Sequence, residues 1–201
     1  MKWYRELLLL SLCCSCICQS PEAQEKAFSV RIVQEDSVHS PAAETPVITL
    51  QQKPFKIQVL LQHLEGVYVF ASFRDSLYGL DRQLPVPGFA LLRDMVMAEE
   101  TFNKDKELLI TDEGWCYWFI NPGLNWHRFN KKLVYLDSGR VVGTKTVKQL
   151  YIVRDHESVK LKENNQPLYL FFVAAGKSDE QGNPQQELYR RRIKIEWREE
   201  D

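Results

Sequence analysis

The chain has 201 residues, 44% of them hydrophobic and 26% charged, which excludes a collagen-like, coiled-coil or wholly disordered protein. Lys and Arg number 26 against 27 Asp and Glu, for a formal net charge of -1. That balance lacks the basic excess that bulk nucleic-acid binding requires, so no nucleic-acid partner is expected.

Met1-Lys2-Trp3-Tyr4-Arg5 is a short basic stretch, partly offset by Glu6. Leu7 to Leu12 is apolar apart from Ser11, and Cys13, Cys14, Cys16 and Cys18 extend the apolar run before Gln19-Ser20-Pro21-Glu22 turns polar. The pattern reads as a secretory signal peptide over 1–18, too short for an ordinary transmembrane helix. Two processing routes fit. Signal peptidase can cut after Cys18, with Cys16 and Cys18 as the small residues that such a site needs.

In the second route, the run of leucines into Cys13-Cys14-Ser15-Cys16 resembles a bacterial lipoprotein signal, with Ser15 as the small residue before a lipidated Cys16. Cys13 stands where that family usually carries Leu or another aliphatic residue. The resemblance is the preferred route. It implies several acyl chains, whose burial adds methylene by methylene into stable membrane attachment. The expected location is therefore an envelope membrane through a lipid anchor, with a periplasmic or secreted form as the alternative.

Of the five Cys, only Cys116 lies in the body of the chain, so no internal disulfide is expected there and a Cys-rich zinc site is disfavoured. Residues 19–27 are polar and read as a tether. The remainder, 28–201, reads as one β-rich domain, long enough to bury a core without covalent staples.

Strand signals dominate this domain. Phe28 to Ile32 alternates, with Phe28, Val30 and Ile32 on one face. An irregular stretch is expected from Glu35 to Pro46. Pro54 to Leu61 alternates next, with Phe55, Ile57, Val59 and Leu61 inward. Gln62-His63-Leu64-Glu65 is short enough for a hairpin into Val67 to Phe73, which is apolar on both faces and reads as a central strand. Phe89 to Glu100 is ambiguous: Phe89, Leu92 and Val96 fit a helix, Met95 and Met97 a strand, and a short helix or irregular insertion is the preferred reading.

Leu108 to Ile110 and Trp115 to Ile120 are further apolar runs around the turn signal Asp112-Glu113-Gly114. Lys132 to Leu136, Arg140 to Gly143, Thr146 to Val153 and Pro167 to Ala175 continue the series, with a turn at Asp137-Ser138-Gly139. In the last segment Tyr189, Arg191, Ile193, Ile195 and Trp197 share one face. Arg190, Arg192, Lys194, Glu196 and Arg198 share the other. Many short strands, scarce helical periodicity and no βαβ alternation predict an all-β fold, an antiparallel β-sandwich of preferred immunoglobulin-like architecture, with at most one short helix.

No constellation of reactive residues stands out. Trp115 to Ile120 is apolar on both faces and reads as core. Trp126 and His127, flanked by Asn121 and Asn125 in a loop-like stretch with Gly123, are the candidate ligand-binding residues. Aromatic rings there offer contact area and amides offer directional hydrogen bonds to a glycan or an apolar peptide. Cys116 with His127 could form a nucleophile and base, but the bulky apolar neighbours of Cys116 favour an inert buried thiol. The four His residues show no metal-ligand spacing, and no cofactor is expected.

Arg190, Arg192, Lys194 and Arg198 form a basic strip whose preferred role is protecting an edge strand from pairing. The sequence contains no phosphate loop and no hydrolase or metalloprotease motif. The expected function is an exported, envelope-associated binding or scaffolding protein without catalysis. It would engage an envelope protein or glycan through the loop at 121–128 or by strand addition to its last strand. The alternative is an exported glycan-acting hydrolase or carbohydrate-binding module, with acids drawn from Asp94, Asp112 or Glu113.

Overall fold

The computed structural model describes residues 27–41, 46–64, 66–73, 96–97, 108–111, 116–120, 134–136, 139–152, 157–176 and 187–198. In chain order the strands are β1 (Phe28–Gln34), β2 (Ser37–His39), β3 (Val47–Gln51), β4 (Phe55–Gln62), β5 (Gly66–Ser72), β6 (Val96–Met97) and β7 (Leu108–Thr111). They continue with β8 (Cys116–Ile120), β9 (Val134–Tyr135), β10 (Arg140–Val147), β11 (Gln149–Ile152), β12 (Glu157–Lys160), β13 (Leu168–Ala175) and β14 (Glu187–Arg198). A 3-10 turn spans Leu161–Glu163.

The strands form a five-stranded sheet in the order β2-β1-β4-β10-β9 and a six-stranded sheet in the order β3-β14-β13-β5-β8-β6. A three-stranded sheet, β12-β11-β7, completes them. The fold is all-β and sandwich-like, as the alternation in the sequence requires. Pairing is mainly antiparallel. The parallel pairs, β14 with β3, β8 with β6 and β11 with β7, each involve an outermost strand.

The five-stranded sheet obeys simple period-two patterning. In β4, Phe55, Ile57, Val59 and Leu61 are buried, while the residues between them are exposed or half-buried. Register brings Phe28, Val30 and Ile32 of β1 opposite Leu61, Val59 and Ile57. Their side chains therefore share the inward face. The six-stranded sheet differs. Every residue of β5 is buried, and every residue of β13 except Tyr169. Such strands need cover on both faces, which places them in the interior of a sheet.

Between the two larger sheets lies the core, with Phe28, Ile57 and Val59 from one side and Val69, Phe172 and Ile193 from the other. Aromatic pairs bridge the layers: Phe28 stacks on Tyr189 at 6.3 Å between ring centroids, and Phe55 meets Trp197 at 6.1 Å.

Several expectations are corrected. The short link at 62–65 makes no hairpin: β4 lies between β1 and β10, and β5 between β13 and β8, in different sheets. The reason is burial. The outward residues of β4, such as Lys56 and Gln58, suit a half-solvated sheet, whereas β5 is apolar on both faces. His63 turns the chain at φ 55°, and Gly139, at φ 73°, lies opposite it. The stretch expected to be irregular after Glu35 contains β2, joined to β1 through Glu35 and Asp36, with Glu35 at φ 51°. At Val96–Met97 the strand reading prevails over the helical one, since both residues pair with β8.

β10 runs unbroken through Thr146 rather than ending at Gly143, and this puts Lys145 opposite Ile57 on the inward face at 0% exposure. The expected all-β sandwich is borne out as a sandwich-like arrangement of several mainly antiparallel sheets.

One edge of the sandwich is closed by a side chain acting as backbone. Gln34 lies on the inward face of β1, 7% exposed. Its Nε2 donates to the carbonyls of Gln51 (2.9 Å) and Lys53 (3.0 Å), and its Oε1 accepts from the Gln51 amide at 2.8 Å. The amide group thereby ties β1 to the end of β3. Nearby, Trp197 Nε1 donates to the Gln166 carbonyl at 2.7 Å, and Asn164 Nδ2 donates to the same carbonyl at 2.9 Å. Replacing Gln34 by Ala leaves the Gln51 amide unpaired, so Gln34→Ala is expected to cost about 2 kcal/mol in urea unfolding, against under about 0.5 kcal/mol for outward Gln58→Ala. Equal effects would contradict the clamp.

Candidate functional site

The last strand carries the densest chemistry of the described chain. β14 places Tyr189, Arg191, Ile193 and Ile195 inward, while Arg190, Arg192 and Lys194 face the other side of the sheet, as the alternation predicts. It is not an edge strand along its whole length. β13 pairs with it from Glu187 to Ile195, and β3 covers Lys194 to Arg198. The expected reading of this segment as an edge strand is therefore corrected over Lys194–Arg198, where β3 pairs with it. Over 187–193 the described residues supply a strand neighbour on one side only.

The outer face is a ladder of rings and cations. Register sets Phe171 between Phe70 and Arg192, and Tyr169 between Ser72 and Lys194. The Arg192 guanidinium lies 5.6 Å from the Phe171 ring centroid, and Phe171 packs on Phe70 at 5.7 Å. Lys194 Nζ stands 5.9 Å from the Tyr169 ring and donates to Glu196 Oε1 at 2.6 Å. Cations over ring faces gain from the ring quadrupole, more so when water is excluded. Arg192 is 2% exposed, so the middle of this face is desolvated.

The register of β14 slips at its start: Ala174 faces Tyr189 and Ala175 faces Glu187, with Leu188 skipped. The bulge moves Glu187 off the inward face it would share with Tyr189. There Arg190 Nε donates to Glu187 Oε1 at 2.6 Å, and Nη2 contacts the same oxygen. Glu187 Oε2 is buried without a hydrogen-bond partner. Burial raises the Glu187 carboxyl above its usual 4.5, and the charge and hydrogen bond of Arg190 offset part of the rise. Alternation alone could not have found this pair, because a bulge depends on the partner strand.

The candidates from the sequence stand as follows. Asn121, Asn125, Trp126, His127 and Cys16 lie outside the described residues, as do Asp94, Asp112 and Glu113. Cys116 pairs with Val96 in register, and Trp118 and Phe119 pair with Val69 and Tyr68, so the aromatic run forms an internal strand between β5 and β6. His39 ends β2 and His63 sits in the turn after β4. Among the described residues, no three His, Cys, Asp or Glu converge as a metal-binding group, and no helix is long and apolar enough to cross a membrane. Compared with known proteins, the chain matches no family model, no curated protein and no solved structure.

The raised Glu187 carboxyl has a defined pH signature. The folded chain holds this proton more tightly than the unfolded chain does. The contribution to stability is therefore complete below about 4.5 and is lost as pH rises through the higher folded midpoint. Carboxyl NMR should place the Glu187 midpoint above 4.5. Glu187→Gln should flatten the stability profile across that window. A midpoint at or below 4.5 would contradict the burial of this group.

Proposed function

We propose that this chain is a binding or scaffolding protein of the cell envelope, exported by its leader, held at a membrane by acylation of Cys16, and without catalytic activity. The observation that carries this reading is the leader itself: a basic start, an apolar run, Ser15 before Cys16, and a polar stretch ending just before β1 at Phe28. A tether of this length joins the anchor to a body built from sheets, a rigid platform suited to presenting loops. The binding loop is 121–128, which follows β8 directly and carries Asn121, Asn125, Trp126 and His127. Its partner is an envelope protein or a glycan, recognised by ring stacking and amide hydrogen bonds.

Expression of the full chain in a bacterial host tests the reading. The expected product sits in the membrane fraction and shows the intact mass of a chain beginning at an acylated Cys16. Cys16→Ala should move it to the soluble exported fraction. An unmodified product beginning at Gln19 would overturn the anchor but keep export, and an uncleaved cytosolic product would overturn both.

A further inference from the structure

Arg191 is the one charged residue on the inward face of β14, between Tyr189 and Ile193. It is 8% exposed. Register sets Phe172 beside it on β13, a residue at 0% exposure. Tyr189, its neighbour on the same face, is stacked against Phe28 of the opposite sheet. The described neighbours it meets on this face are therefore rings and an aliphatic group. Arg191 Nε is buried with no hydrogen-bond partner, and Arg191 forms no ion pair or side-chain hydrogen bond with any described residue. The bulge at Leu188 turns the nearest acid of the strand, Glu187, to the outer face, where it is engaged by Arg190.

A guanidinium held this way is costly. Removing a cation from water without a counter-charge carries a penalty of several kcal/mol, and buried donors in folded proteins are normally satisfied. The residue is also not sealed, since part of its surface remains open. It lies on the part of β14 that β3 does not reach. From these observations we infer that Arg191 is a recessed anion-binding site at the side of the sandwich, and that its ligand is a carboxylate.

A carboxylate matches the planar fork of the guanidinium and leaves the pair neutral. A phosphate dianion would leave net negative charge among apolar groups, because the inward face of β14 offers no second cation. The carboxylate belongs either to a small organic acid or to an acidic side chain of a partner protein. The inference does not rest on delivery to the envelope, since a cytosolic chain would carry the same site.

The test is a titration of the full-length protein followed at the Arg191 Nε–H NMR signal. That signal is assigned through bonds from the Arg191 backbone, so it remains readable even where Arg191→Met fails to fold. At constant ionic strength, acetate should shift it saturably in the millimolar range, with phosphate at neutral pH about tenfold weaker and chloride without saturable effect. Arg191→Met should lose the thermal stabilisation that acetate gives the parent protein. A capped Gly-Glu-Gly peptide that shifts the same signal would identify an acidic side chain as the source, whereas a response to acetate alone would identify a small organic acid. No saturable shift with acetate, or the same drift with every salt, would overturn the site.

Discussion

The two central strands of the six-stranded sheet, β5 and β13, are buried on both faces, and the rest of the molecule is arranged around that constraint. Val69 and Phe172 point to one side, Phe70 and Phe171 to the other, and none is more than 1% exposed. Hydrophobic burial scales with the area removed from water, so a sheet of this kind is stable only with both faces covered. The five-stranded sheet covers one face and needs only one apolar face itself. Its outer side is left to Arg31, Lys56, Gln58 and Thr144, all exposed or half-buried. The short link at 62–65 crosses between sheets for this reason, since β4 and β5 belong to layers of different polarity.

Burial on both sides also sets the chemistry of β14. A strand that alternates cations with apolar residues can keep its charges in water at the margin of a half-solvated sheet. Inside a doubly covered sheet it cannot. The chain resolves this differently at each position. Arg190 takes Glu187 through a bulge, Arg192 lies over the Phe171 ring, and Lys194 pairs with Glu196 near the more open end. Arg191, on the opposite face, has no such partner among the described residues. The strand's chemical interest arises from this contrast rather than from its net charge.

Much of the fold was legible where residues reported their own environment. The alternation in β1, β4 and β14 gave the inward residues correctly, and an unbroken apolar run marked β5 as an internal strand. What was illegible depended on the partner strand. The Leu188 bulge, the parallel edge pair of β3 with β14, and the continuity of β10 through Gly143 have no local signature. The expected break at Gly143 hid the inward placement of Lys145. The Gln34 clamp was equally silent, because a Gln closing an alternating strand looks like any solvated residue until β3 is set beside it. The candidate loop at 121–128 remains a reading of residue types, whereas Arg191 was placed on the apolar face by alternation, and its want of a partner required the structure.

Native-state hydrogen exchange resolved by residue tests the two-sided burial most directly, since amides in doubly covered strands exchange only when the whole domain opens. The account predicts that the backbone amides of β5 and β13 share the slowest exchange in the protein, with the same dependence on denaturant, and that β2 and β9 exchange much faster. Rapid exchange in β13 beside slow exchange in β1 and β4 would mean that the five-stranded sheet holds the core alone, and the account would fail.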